Sequence, residues 1–134
     1  MDSLSRQVNR ISVHAVWLLM LALLSGCAKD THERLAAQNV ETMKQLSATL
    51  DKIVDEKSAR RAKSSLESLA NKLERIGNRD AKLPPATQEE SQAINTKYGS
   101  QTTELEQKIT SQIMRVSLDP KIAPELGGID RAMK

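Results

Sequence analysis

Residues 77–90 read GNRDAKLPPATQEE, and this stretch decides the fold. Gly77-Asn78 has the composition of a helix C-cap, because glycine enters the left-handed conformation without a side-chain clash and asparagine tolerates it. Pro84-Pro85 cannot continue a helix, since each ring removes an amide donor and restricts the residue before it. Thr87-Gln88-Glu89-Glu90 has the form of a capping box, with Thr87 at the N-cap and Glu90 three residues on. The sequence therefore predicts that one helix stops at Gly77, the chain turns over 78–87, and a second helix starts at 88.

Working back towards the N-terminus, Asp30-Thr31-His32-Glu33 is another helix start, with Asp30 as N-cap and Glu33 able to reach back to it. Neither Gly nor Pro occurs between these residues and Ile76. Met43, Leu46, Leu50 and Ile53 recur at three-four spacing, and Ala62, Leu66, Leu69, Leu73 and Ile76 do so again after an offset bridged by Val54 and Ser58. The spacing predicts one amphipathic helix over 31–77, near 70 Å long at about 1.5 Å per residue, whose apolar stripe drifts once. A break into two helices beside the charge run Asp55 to Lys63 (DEKSARRAK) is an alternative that no residue in the run demands. Lys57, Arg60, Arg61 and Lys63 make a candidate basic patch for anionic headgroups or a partner's acids. Asp55 and Glu56 lie within a turn of the arginines and can pair with them, which makes a solvated helix face the plainer reading.

Working forward, Ile94, Tyr98, Leu105, Ile109, Ile113 and Val116 form the stripe of a helix over 88–118, weakened at Gly99 and Thr102. A helix with one apolar face must bury it, and the nearest face is that of the first helix. The expected fold class is all-α: a long antiparallel helical hairpin, coiled-coil-like, with an irregular tail over 119–134 punctuated by Pro120, Pro124 and Gly127-Gly128. The second helix spans roughly 45 Å, which leaves 31–46 without a partner unless Ile122, Leu126, Ile129 and Met133 of the tail fold back over it. Two helices make a thin core, so self-association or an envelope protein as partner is expected.

The first 30 residues have a different character. Arg6 and Arg10 precede an apolar block, Ile11 to Leu24 (ISVHAVWLLMLALL), which ends at Leu24-Ser25-Gly26-Cys27, and no other stretch of the sequence is apolar enough to cover it on all sides. This is the charged region, apolar region and small-residue cleavage point of a secretory signal. It is shorter than the roughly 20 apolar residues that cross a bilayer. LSGC resembles the lipobox of bacterial lipoproteins, a likeness confined to residues 1–27. The resemblance implies a cleaved signal over 1–26, a cut between Gly26 and Cys27, and a diacylglyceryl group on the Cys27 thiol, followed by a short linker over 27–30. By the same resemblance, Ala28 in place of an aspartate after the cysteine points to the periplasmic face of the outer membrane of the bacterial cell envelope. One acyl chain of roughly 15 methylenes contributes on the order of 12 kcal/mol gross at about 0.8 kcal/mol per methylene, and two such chains hold a protein on a membrane.

Composition narrows the function classes. Without residues 1–26, the chain's 20 Lys and Arg fall to 18 and its 17 Asp and Glu to 16, a spread-out balance rather than the concentrated basic face of a nucleic-acid binder. Phe is absent and Trp17 lies in the leader, so Tyr98 is the sole ring of its kind downstream and no row of aromatics offers itself to bases or sugars. His32 is the only histidine after the leader and Cys27 the only cysteine; no catalytic motif or metal-ligand spacing occurs. The expectation is a non-enzyme with no metal, no cofactor beyond the lipid on Cys27, no small-molecule substrate and no nucleic acid. A structural alternative is a tether to peptidoglycan: the sequence ends Arg131-Ala132-Met133-Lys134, and some short helical lipoproteins are joined to the cell wall through a C-terminal lysine. The proline-broken body departs from the uninterrupted heptads of that family.

Overall fold

The computed structural model describes residues 29–127. Cys27, Gly26, the apolar block and Lys134 lie outside them. The described chain is all-helical, with α1 over His32–Asp51, α2 over Glu56–Asp80 and α3 over Gln88–Leu118. The hairpin-like packing expected from the sequence is present, but the helix expected over 31–77 is two helices, and the chain reverses over 52–55.

The reversal has a local cause. Asp55 takes an extended conformation and its carboxylate accepts from the Ser58 amide at 2.7 Å, while the Ser58 hydroxyl accepts from the Asp55 amide at 3.0 Å. This reciprocal capping box begins α2. The same hydroxyl also accepts from the Val54 amide at 3.0 Å. One serine thus satisfies two amides of the turn, which favours starting a new helix over continuing the old one. Ile53 turns inward and is fully buried, whereas Val54 is 74% exposed. The drift in the apolar stripe is therefore a change of helix, not a stutter.

The end of α1 is held from elsewhere in the chain. Its last turn carries no basic residue. Instead Arg115 of α3 donates to the Leu50 carbonyl at 2.9 Å and to the Ile53 carbonyl at 2.8 Å. A guanidinium fork there adds to the bond that the Leu50 carbonyl accepts from the Ile53 amide at 3.1 Å, ties down the turn carbonyl of Ile53, and sits at the negative end of the helix dipole.

These contacts fix directions. Arg79 Nε donates to Asp30 at 2.9 Å and the His32 ring pairs with Asp80 at 2.7 Å, so the end of α2 returns to the start of α1 and the two are antiparallel. Lys97 meets Glu33 at 2.6 Å and Lys108 meets Asp51 at 2.9 Å, so α3 runs parallel to α1. α3 follows α2 in the reverse direction, as a hairpin requires, but docks along α1. No Cα of α2 lies within 8 Å of one in α3, while α1 packs on both. α1 is the central helix, and this is why it buries Leu35, Val40, Met43, Leu46 and Leu50. The stretch 31–46 expected to lack a partner gains α2 on one side and α3 on the other once the chain folds back at 52–55.

Two further boundaries differ from expectation. Gly77 is not a cap: α2 continues to Asp80 with Ala81 as its C-cap, because Arg79 and Asp80 are drawn onto α1 by the two pairs just described. Asp30 is not the N-cap of α1. Thr31 is, its hydroxyl accepting from the Arg34 amide at 3.1 Å, and Asp30 is thereby free to bind Arg79. α3 begins as expected, with Thr87 and Glu90 forming both halves of the box. Beyond α3, residues 119–127 form turns that place Ile122 and Leu126 in the core with Ile53, Ala59 and Val116, and Glu125 pairs with Arg60 at 3.2 Å. That part of the tail covers the 52–60 end of the molecule, opposite to the end expected.

Gly77 sits inside a regular helix with no atom near its absent side chain. Gly77→Ala should therefore raise stability by about 0.5–1 kcal/mol, seen as a higher thermal midpoint. Arg115→Ala should lower stability by about 1–2 kcal/mol through the loss of two charge-assisted hydrogen bonds, the Leu50 carbonyl keeping only its bond from the Ile53 amide. Arg115→Lys should restore less than half of that, because an ammonium cannot fork; urea titration of the three proteins measures both effects.

Candidate functional site: a trough between the second and third helices

Because α2 and α3 do not meet, they wall a trough whose floor is α1. One end is crossed by the 81–87 connection and the other by the 119–127 turns. The first half, about 590 Å³, is lined by His32, Leu35, Ala36 and Asn39 of the floor, by Leu73, Ile76, Gly77 and Asp80 of α2, and by Ile94, Asn95, Tyr98, Gly99 and Thr102 of α3. The second half, about 490 Å³, continues from it along Asn39, Leu73 and Glu106, and is lined by Met43, Leu46, Ala70, Ile109 and Ile113. The first half mixes amide, hydroxyl and apolar groups. The second is apolar, with Glu74 on one wall and Glu106 on the other.

Sequence reasoning identified these apolar residues as stripes to be buried against one another. It missed the trough because its reading placed α3 against the whole first helix, and the trough exists only because α1 separates the other two. Ile94 and Tyr98 are half-buried, as is Leu73 opposite. Gly99 has a local role: a side chain there would meet the Asn95 amide oxygen at 2.3 Å, so Asn95 folds back over the helix at this point.

His32 closes the first end. Its Nε2 lies 2.7 Å from the Pro84 carbonyl oxygen and its Nδ1 lies 2.7 Å from Asp80 Oδ1. Both partners are acceptors, so only the doubly protonated imidazolium satisfies both contacts. The hydrogen bond to the Pro84 carbonyl, then that to Asp80, raises the His32 pKa above its ordinary value, with the Glu90 charge adding to the effect. The first-turn histidine thus fastens the 81–87 connection to the start of α1, a role its sequence position did not reveal. On the carboxylate side, hydrogen bonding from Arg79 lowers the Asp30 pKa, and hydrogen bonds from Lys108 and Gln112 lower that of Asp51.

The basic patch does not join this site. Lys57, Arg60, Arg61 and Lys63 lie on α2 near its start, at the opposite end from His32. Arg60 is engaged by Glu56 and Glu125. Lys57 and Arg61 are close enough to Asp55 to help lower its pKa, after the larger effect of its Ser58 hydrogen bonds. Among the described residues no group of three or more His, Cys, Asp or Glu side chains could hold a metal ion. No described helix is long and apolar enough to cross a membrane. Cys27, Gly26 and Lys134 lie outside the described residues.

The titrations have opposite signs. The raised His32 pKa contributes stability that is complete below about pH 6.5 and is lost as pH rises through the folded value. The lowered Asp30, Asp51, Asp55 and Glu90 values contribute stability present above about pH 4 and lost as pH falls through them. The thermal midpoint of the full chain should therefore be greatest between about pH 4 and 6.5 and decline on both sides. In His32→Asn the decline above neutrality should disappear while the acid limb remains; circular dichroism melts across the pH range measure both.

Compared with known proteins, the chain matches no family model, no curated protein and no solved structure.

Proposed function

We propose that the protein is a lipid-anchored bacterial envelope lipoprotein whose helical domain is a non-catalytic binding module, engaging an envelope protein through the trough. The observation that carries this reading is the position of Cys27. The only cysteine closes the lipobox LSGC after an apolar block and stands five residues before His32, where α1 begins. Acyl chains on that thiol would set the bundle at the bilayer surface, with the His32 end of α1 nearest to it. Four residues separate Cys27 from His32, a reach of at most about 18 Å.

The domain supports a binding role through what it leaves open. Ion pairs join α1 to each wall separately, Asp30 with Arg79 on one side and Glu33 with Lys97 and Asp51 with Lys108 on the other, which leaves the space between the walls open. Among the described residues the one histidine, His32, is engaged by two acceptors. In this reading the lipid fixes location and the trough provides recognition, with cell-envelope assembly or scaffolding as the process served.

Intact mass of the protein extracted from membranes in detergent tests the anchor, alongside Cys27→Ser. The expected species begins at Cys27, carries two or three acyl chains, and is lost in the variant. A mass equal to the unmodified 134 residues would overturn the lipoprotein reading.

A further inference from the structure

We infer that the trough is the vacant fourth position of a four-helix bundle and that its occupant is a basic amphipathic helix of about four turns from a partner protein. This rests on reading the trough as the partner-binding face. In a closed three-helix bundle every pair of helices touches; here α1 touches both neighbours while α2 and α3 do not approach. That is the arrangement of three corners of a square. At one end the chain itself adds to the core, where Ile122 and Leu126 join Ala59 of α2 and Val116 of α3 in one cluster. The part left open runs along α1 from His32 to Leu46, which is about 21 Å and matches a helix of about 14 residues.

The chemistry of the occupant follows from the rim and floor. Leu73 and Ile113, half-buried on the two walls above a floor where Met43 and Leu46 are already covered, ask for an apolar stripe. Glu74 and Glu106 face the opening from opposite walls, and neither carboxylate has a hydrogen bond or ion pair with any other described residue. By contrast, Glu33 and Asp51, on the outer side of the α1–α3 contact, are each matched by a lysine. Two unmatched acids flanking an apolar channel select a helix with Lys or Arg on both borders of its apolar face, because such cations meet the carboxylates at the half-wet edge of the contact. The polar half, with Asn39, Asn95 and Thr102, receives the more polar end of that helix.

The test uses the full chain in phosphatidylcholine nanodiscs, with empty nanodiscs subtracted, and two fluorescent 14-residue peptides. Both carry the same leucine stripe at helical spacing; one has lysines on its borders and the other glutamates. The lysine peptide should bind about tenfold more tightly, and Glu74→Lys with Glu106→Lys together should reverse the preference while leaving the thermal midpoint near that of the parent. Equal binding, no binding, or a preference that survives the double charge reversal would overturn the inference. Binding that emerges only after residues 128–134 are deleted would also overturn it, assigning the trough to the chain's own tail; a dimer dissolved by the same double variant would assign it to a second copy. The nanodisc holds the protein whether its anchor is acyl chains or the apolar block. A failed mass measurement at Cys27 and a failed peptide preference therefore point to different errors.

Discussion

The reversal at 52–55 governs everything else in the domain, and it is fastened from both sides. On one side Ser58 and Asp55 satisfy each other's amides and nucleate α2. On the other, Arg115 reaches from α3 to the Leu50 and Ile53 carbonyls where α1 gives way to the turn. Without the first, the chain has no reason to stop; without the second, the stop exposes carbonyls and loses the contact that brings the end of α3 to the end of α1. The arginine thus couples a local event to a distant one. Together they make α1 the helix that both others lean on.

This coupling explains what the sequence did and did not disclose. The start of α3 was legible because Thr87 and Glu90 are the standard residues of a capping box, the preceding prolines exclude helix, and both hydrogen bonds form within the segment. Asp55 and Ser58 make the same kind of box with serine in place of glutamate, inside a run of charges good for helix, and so carry little signal. Gly77 misled for the opposite reason. Its local preference for ending a helix is worth no more than about 1 kcal/mol, and the docking of Arg79 and Asp80 onto Asp30 and His32 carries the helix on for another turn. Local chemistry decided wherever the partners were neighbours in sequence, and lost wherever they came from about fifty residues away.

The candidate site belongs to the second class entirely. Each of its walls is an ordinary amphipathic stripe, and nothing in α2 or α3 alone says that the two face each other across a gap. The gap is a property of which helix is in the middle. The unmatched acids Glu74 and Glu106 leave a trace at the level of single residues, and they are recognisable as such only after Lys97 and Lys108 are found paired with Glu33 and Asp51. The proposed anchor is the reverse case: its motif is contiguous in sequence and lies outside the described residues.

The central position of α1 also has a mechanical consequence. The chain enters the domain through this helix, so a load applied between the residues before Lys29 and anything seated between α2 and α3 acts along the axis of α1. It would slide α1 past both neighbours. Contacts from Asp30–Arg79 at one end to Leu50–Arg115 at the other are then strained together, and must fail together instead of peeling one at a time. The same bundle with its entry helix at an edge would unzip from that end under a far smaller force.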